Sequence, residues 1–154
     1  MALTAALLAP AGPAGAQDAA EPETAPAAAM SGLTFDTPWR AGPALSHARA
    51  GLAAATLDGR IYAAGGAGLV DPRDDFEVYD PATGRWSPRP ALPEGLERFA
   101  MAEAGGRLFV AGGYSADSGS EPVAAVWSYD PEANLWRSEP EMPGAKASFS
   151  MLAQ

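Results

Sequence analysis

One string of residues occurs twice in this chain and limits its fold more than any other feature. FEVYDPATGRW begins at Phe76, and the related VWSYDPEANLW begins about fifty residues later, at Val126. Upstream of each string, DGRIYAAGG and GGRLFVAGG also match, with a double glycine at the same place. The second copy has extra residues only between its double glycine and its tyrosine, which predicts a surface loop there. The chain therefore contains two copies of one structural unit.

Each copy carries four short β-type runs separated by turn residues. Asp58-Gly59 and Gly105-Gly106 are two-residue hairpin turns between the first and second runs. Asp-Pro opens the turn between the third and fourth runs, and Gly84 or Asn134 follows at a position that favours positive φ. The pattern predicts a four-stranded antiparallel meander in each copy and an all-β fold.

A small twisted sheet cannot bury both of its faces alone, so each unit needs a like neighbour, as in a β-propeller. The Tyr and Trp of each copy are then expected to fill the wedge between successive blades. At these residues the chain resembles the kelch repeat, which has an arginine before its first strand, a double glycine after its second, and a separated Tyr and Trp. The residues that carry the resemblance are Arg49, Gly65, Gly66, Tyr79 and Trp86, and again Arg98, Gly112, Gly113, Tyr129 and Trp136.

The resemblance implies a partial kelch-type β-propeller over residues 31–154, with blades at about 47–89 and 96–139. WRAGPAL, from Trp39, matches the fourth run of each copy and is expected to be a lead-in strand. AKASFSMLAQ, near the end, is expected to be the first strand of a third blade. Propellers have about four to eight blades, so we expect a partial chain or one that self-associates through an uncovered blade face. The blade number and the oligomeric state stay open.

The first thirty residues differ from the repeats. Residues 1–16 are uncharged and end in Ala14-Gly15-Ala16, which is typical of a signal-peptide cleavage site, although a basic start is missing. Residues 17–30 are rich in Ala, Pro and acid and are predicted to be a disordered linker. We therefore expect a periplasmic or secreted protein, with a cytoplasmic one as the alternative.

Charge and composition exclude several classes of function. The formal net charge is -9 and the basic residues are scattered, which argues against nucleic acid as a partner. No apolar run is long enough to predict a membrane span. The absence of Cys and the presence of a single His exclude thiolate and His-pair metal sites in these residues. No metal, cofactor or catalytic residue is predicted.

Candidate ligand-binding residues lie in loops expected at one end of the blades. This end, the loop rim, comprises residues 67–75 and 114–124 with the inter-blade stretches 43–49, 92–98 and 142–146. The hairpins at 58–59 and 105–106 and the turns at 80–84 and 130–134 are expected at the opposite end, the hairpin rim. The ligand candidates on the loop rim are His47, Arg49, Arg73, Arg98, Tyr114 and Lys146.

These candidates also have structural interpretations. Arg49 and Arg98 suit a carboxylate or a sugar acid through their planar fork, but a structural ion pair or backbone hydrogen bonds is the favoured interpretation of both. His47 is more readily interpreted as a solvated loop residue than as a catalytic one. DPRDD (71–75) is a solvated acidic loop or, less favourably, a calcium loop.

Three functions remain open from the sequence. The first is a binding module that recognises a protein, a carbohydrate or another small ligand through the loop rim. The resemblance also implies an exported sugar-processing enzyme similar to N-acetylneuraminate mutarotase. The third, a copper enzyme like galactose oxidase, is less favoured because this chain has a single His and no Cys. Enzymatic activity is therefore uncertain, and the sequence favours binding.

Overall fold

A computed structural model of the chain describes residues 41–119 and 121–152. The signal peptide predicted at 1–16, the linker predicted at 17–30 and the first two residues of the lead-in strand expected from Trp39 lie outside these residues. The rest of that expected strand, residues 41–45, is described and forms no strand. The described residues contain ten strands and no helix. In chain order they are β1 (Ala53–Leu57), β2 (Arg60–Ala64), β3 (Phe76–Asp80), β4 (Arg85–Pro88), β5 (Leu96–Glu97), β6 (Ala100–Ala104), β7 (Arg107–Ala111), β8 (Tyr114–Ser115), β9 (Val126–Asp130) and β10 (Leu135–Glu139).

The strands form two four-stranded antiparallel sheets, which confirms the predicted all-β blades. The first blade has the order β1-β2-β3-β4, and the second has the matching order β6-β7-β9-β10. All eight β-type runs are strands of these sheets. A third, two-stranded sheet pairs β5 with β8, and the sequence did not predict it.

The turns follow the chemistry expected from the sequence. Asp58 and Gly59 have φ of 51° and 71°, and Gly105 and Gly106 have 57° and 77°, as a two-residue hairpin with positive φ at both positions requires. Asn134 has φ 53° where the first copy has Gly84 at 67°. The backbone N–H groups of Glu132 and Ala133 donate to the Asp130 carboxylate at 3.1 and 3.0 Å.

The hydrophobic core lies between the two blades. Tyr62 and Phe76 of the first blade present their rings to the second, with centroids 5.7 Å apart. Phe76 meets Tyr129 at 4.7 Å and Trp136 at 4.9 Å. The Trp136 indole N–H also donates to the carbonyl of Pro90, in the stretch that joins the blades. Tyr129 and Trp136 of the second copy therefore fill the wedge between the two blades, as predicted, whereas Tyr79 and Trp86 of the first copy pack against each other.

The double glycines sit where the next blade's lead-in stretch passes closest. Gly65 has φ 58°, and a Cβ there would overlap the Leu96 carbonyl oxygen and stand 2.5 Å from a Phe99 ring carbon. Gly112 has φ 66°, and a Cβ there would overlap the Lys146 carbonyl oxygen. Both positions need a residue without a side chain, since positive φ and close backbone approach coincide.

Hydrogen bonds gather the predicted loops on one rim. The N–H of Leu96 donates to Arg73 O at 3.1 Å, which joins loop 67–75 to stretch 92–98. The N–H of Lys146 donates to Val123 O at 3.3 Å, which makes the equivalent connection one blade later. At the other end, Asp58, Gly106 and Glu132 line one hollow. The two rims are thus composed as predicted.

The stretch after the second blade continues the repeat without forming a strand. Residues 140–152 contain no strand, yet the N–H of Ser148 donates to Arg98 O at 2.7 Å, just as that of Arg98 donates to Gly51 O at 2.8 Å. Phe149 approaches Gly112 as Phe99 approaches Gly65. Residues 146–152 therefore occupy the start of a third blade's first strand.

Candidate functional site

The loop rim of the first blade carries a compact set of charged residues, the first-blade cluster: His47, Arg49, Arg73, Asp75 and Glu77. Asp75 and Glu77 flank the buried ring of Phe76 at the start of β3. His47 and Arg49 come from the stretch before β1, and Arg73 from the loop after β2. Three of the predicted ligand residues are therefore brought together by two carboxylates that the sequence had not singled out.

Arg49 and Glu77 form the buried half of this cluster. Arg49 Nη1 lies 2.8 Å from Glu77 Oε2, and the two side chains are 0% and 6% exposed. Glu77 also accepts the N–H of Ser46 at 3.1 Å. Arg49 Nε and Nη2 have no hydrogen-bond partner among the described residues. Because its side chain is enclosed, Arg49 does not present its fork on the rim, and the structural ion-pair interpretation holds for it.

Asp75 organises the accessible half of the cluster. One carboxylate oxygen accepts a hydrogen bond from Arg73 Nε, and the other lies 3.2 Å from His47 Nδ1. The hydrogen bond from Arg73 lowers the pKa of Asp75 below its usual value, assisted by the charge of Arg73 and the contact with His47. These contacts outweigh the partial burial of Asp75, which by itself would raise its pKa. Asp75 is therefore held as a carboxylate between two basic side chains.

A second group of rim residues lies between the blades. Glu97, Arg98, Tyr114 and Gly119 line an open cleft of about 280 Å³. The β5–β8 pair places Glu97 directly opposite Tyr114. Arg98 Nε is 3.9 Å from Glu97 Oε2, and the Arg98 side chain is 60% exposed. This inter-blade cleft thus offers a guanidinium and a phenol to solvent side by side.

The structure corrects the sequence equivalence of Arg98 with Arg49. Arg98 has φ 54°, and it corresponds to Gly51 at 65° and to Ser148 at 56°. The residue equivalent to Arg49 is Leu96, which is fully buried. Counting from the hairpin turns rather than from the arginines would have given this register. Arg98 therefore stands two positions farther along and points its side chain to solvent.

An apolar tip projects from the first blade's loop. Leu69 and Val70 are fully or almost fully exposed, at 105% and 86%. The loop beneath them is closed by backbone bonds, with Gly68 N–H donating to Asp71 O at 3.2 Å and Arg73 N–H donating to Gly66 O at 2.7 Å. Leu69 and Val70 thus form an exposed apolar tip on a loop that backbone hydrogen bonds close.

Lys146 stands apart from both groups. Its backbone joins Gly113 and Val123, and its side chain is exposed. The sequence missed Asp75, Glu77 and Glu97 as site residues. An acid inside the apolar run FEVYD was the available indication for Glu77, because an unpaired acid is rarely buried.

Two further properties concern the described residues alone. Over 41–119 and 121–152, no group of three His, Cys, Asp or Glu side chains is arranged to hold a metal ion. The acids of DPRDD (71–75) do not converge on one point, since Asp75 contacts Arg73 and His47 while Asp74 is exposed. The same residues include no helix of membrane-spanning length and hydropathy.

Comparison with known proteins gives consistent matches across both repeats. A family model described as Kelch motif matches residues 48–93 and 97–143. Human Kelch-like protein 33 is 35% identical over 94 residues, which cover 61% of this chain and 17% of that protein. Human Kelch repeat and BTB domain-containing protein 13 is 37% identical over 98 residues, covering 64% and 20%. The chain thus spans a fifth or less of the length of these two relatives.

A solved structure resembles the chain in fold. The structure of YjhT aligns with a TM-score of 0.57 at 20% sequence identity, over 64% of this chain and 39% of that one. At this identity the similarity concerns the arrangement of the strands.

Proposed function

Because the chain belongs to the kelch-repeat family, we propose that it is a protein-binding module that uses its loop rim as the contact surface. The observation that supports this most directly is the Leu69–Val70 tip, which is exposed on a loop closed by backbone hydrogen bonds. A braced apolar tip loses little conformational entropy on binding, so more of its burial appears as affinity.

The inter-blade cleft supplies the polar part of the same surface. Arg98 and Tyr114 stand side by side there, and Arg and Tyr are among the residue types most enriched at binding hot spots. Among the residues that the structure describes, the Arg98 guanidinium has one carboxylate neighbour, Glu97, at 3.9 Å. Its remaining N–H groups therefore suit a carbonyl or carboxylate of a bound chain.

The charge of the rim indicates the kind of partner. Acidic residues outnumber basic ones on the described loops, and this favours a partner that presents basic residues around an apolar pocket. The acids are Asp71, Asp74, Asp75, Glu94, Glu97, Asp117 and Glu121, and the bases with accessible side chains are Arg73, Arg98 and Lys146.

The enzymatic alternative receives less support from the geometry. A sugar-processing site needs a group that exchanges a proton near neutral pH. Asp75 is the carboxylate nearest His47, and its pKa is lowered by Arg73. A carboxylate with a lowered pKa is a weaker base, so this pair suits charge pairing better than proton transfer.

The test is a peptide selection with mapped contacts. Random peptides displayed on phage would be selected on the immobilised 154-residue protein, and the affinity of the winners measured by interferometry. The double variant Leu69→Ser with Val70→Ser should weaken binding by about tenfold or more, or about 1.4 kcal/mol. Arg98→Ala should weaken it independently. Glu132→Ala, on the hairpin rim, is the matched control and should leave binding unchanged.

Two results would overturn the proposal. One is a set of selected peptides whose affinity is the same for the wild type and both rim variants. The other is loss of binding in the Glu132→Ala control, which would place the contact surface on the hairpin rim. Circular dichroism of each variant separates a lost contact from a lost fold.

A further inference from the structure

The loop that carries the Leu69–Val70 tip is anchored differently from its counterpart in the second blade. In the second blade, two residue pairs join β5 to β8 and hold the loop against the stretch that precedes the blade. Among the described residues the first blade has one such pair, Ala50 with Ala67, which stands where Glu97 pairs with Tyr114. The tip loop is therefore held to the stretch before β1 by fewer backbone pairs than its counterpart.

Beyond that pair the tip loop is a narrow arm. Ala67 also bridges Pro72, and the Gly68 N–H donates to Asp71 O at 3.2 Å. The two sides of the arm are thus bonded to each other, and the tip forms the turn between them. These bonds fix the shape of the arm, but they do not fix its tilt on the blade, because both partners of each bond lie within the arm.

The Arg73 side chain contacts this arm near its base. A Cβ placed on Gly68 would stand 3.8 Å from Arg73 Cδ and 4.0 Å from Arg73 Nη1. Arg73 Nε donates to one oxygen of Asp75, and the other oxygen of Asp75 lies 3.2 Å from His47 Nδ1. Asp75 directly precedes β3, and His47 lies in the stretch before β1. A continuous run of side-chain contacts therefore joins the arm to two other segments of the rim.

The second blade shows that its backbone does not need these side chains. Ala125 occupies the place of Asp75, because its carbonyl accepts an N–H of the second double glycine at 2.9 Å, as that of Asp75 does from the first at 2.8 Å. Val123 occupies the place of Arg73, because its N–H donates to the double-glycine carbonyl at 2.9 Å, against 2.7 Å for Arg73. The same backbone bonds form with apolar side chains at both positions, so the blade itself does not require the charged pair.

We propose that Arg73, Asp75 and His47 are positioning residues that fix the tilt of the Leu69–Val70 tip on the loop rim. They do in the first blade what the additional β5–β8 pair does in the second. An arginine–carboxylate hydrogen bond suits this role because it is directional as well as charge-assisted. The consequence for binding rests on the proposed function, since a tip presented in one orientation loses less conformational entropy when a partner covers it.

The test places residues of the second blade in the first. Arg73→Val and Asp75→Ala each remove one side of the bond and introduce a side chain that the equivalent backbone position already carries. Backbone amide NMR relaxation of the free 154-residue protein measures the order parameters of residues 68–71. They should be about 0.85 in the wild type and below about 0.6 in either variant. The urea midpoint should fall only slightly, since a partly exposed ion pair contributes little to stability.

Arg60→Ala is the matched control. It removes another ion pair of the first blade, in which Arg60 Nη2 lies 3.6 Å from Asp80 Oδ2, away from the tip loop. The order parameters of residues 68–71 should stay at the wild-type value in this control. Peptides that bind the wild type through the tip should bind Arg73→Val and Asp75→Ala about threefold to tenfold more weakly, and Arg60→Ala with unchanged affinity.

Wild-type order parameters in both variants would overturn the proposal, because the backbone alone would then hold the tip. An equal fall in Arg60→Ala would overturn it too, since the effect would not be specific to the Arg73–Asp75 bond. If one of the two variants does not fold, the other decides. A fall confined to Arg73→Val and Asp75→Ala supports the positioning role even where Leu69→Ser with Val70→Ser leaves peptide binding unchanged, and that last result counts against the proposed function alone.

Discussion

Replacing Gly65 by alanine should destabilise the protein more than replacing any exposed hairpin glycine. Gly65 has φ 58°, and a Cβ there would overlap the Leu96 carbonyl oxygen. That oxygen cannot retreat easily, because it accepts the N–H of Gly66 at 2.8 Å. Gly59 is the matched control: it has φ 71°, and a Cβ there would meet nothing within 4 Å.

The two variants share one penalty and differ in another. Alanine in the left-handed region costs about 1 kcal/mol in either position. Overpacking against the Leu96 backbone and the Phe99 ring adds about 1–3 kcal/mol at Gly65 alone. The free energy of unfolding should therefore fall by about 2–4 kcal/mol for Gly65→Ala and by about 1 kcal/mol for Gly59→Ala.

Urea unfolding followed by tryptophan fluorescence measures both values. The urea midpoint should be lower for Gly59→Ala than for the wild type, and lowest for Gly65→Ala. The dependence of the unfolding free energy on urea concentration should stay unchanged. Gly112→Ala should lie between them, since its Cβ would overlap Lys146 O in a segment that forms no strand and can move. Equal losses for Gly59→Ala and Gly65→Ala would refute the close-approach argument and leave positive φ as the sole reason for the double glycine.

The remaining predictions concern the aromatic wedge and the first-blade cluster. Trp136→Ala should lower the free energy of unfolding by about 3 kcal/mol, because its ring contacts Phe76 and Tyr129. Trp86→Ala should cost about 1 kcal/mol less, since one aromatic pair fewer is lost. Thermal unfolding compares the two variants. A larger loss for Trp86→Ala would contradict the packing of Trp136 in the wedge between the blades. For Asp75, whose pKa is lowered chiefly by Arg73, the stabilisation is present above the unfolded-state pKa of about 3.9 and disappears as pH falls through the lower folded-state pKa. Arg73→Gln should raise the Asp75 pKa in a carboxyl-carbon NMR titration, and an unmoved titration would show that Arg73 is not its cause.

Much of the fold could be predicted because it depends on local chemistry. Positive φ at the hairpins needs Gly, Asp or Asn, and these residues stand at 58–59, 105–106 and 134. The aromatic wedge followed from the recurrence of Tyr and Trp in register. The predicted equivalence of Arg98 with Arg49 was wrong. It matched residue type across a stretch in which the backbone conformation repeats and the side chains do not.

The sequence by itself determined the two blades, their turns, their aromatic wedge and the composition of the two rims, because each of these is encoded by residues close together in the chain. Only the tertiary structure decided that Arg49 is enclosed by Glu77 while Arg98 faces solvent. It also decided that β5 pairs with β8 to place Arg98 beside Tyr114. These contacts join segments on different strands and blades, so their distances and burial depend on how the sheets pack. A local pattern carries no information about which of two arginines the packing will cover.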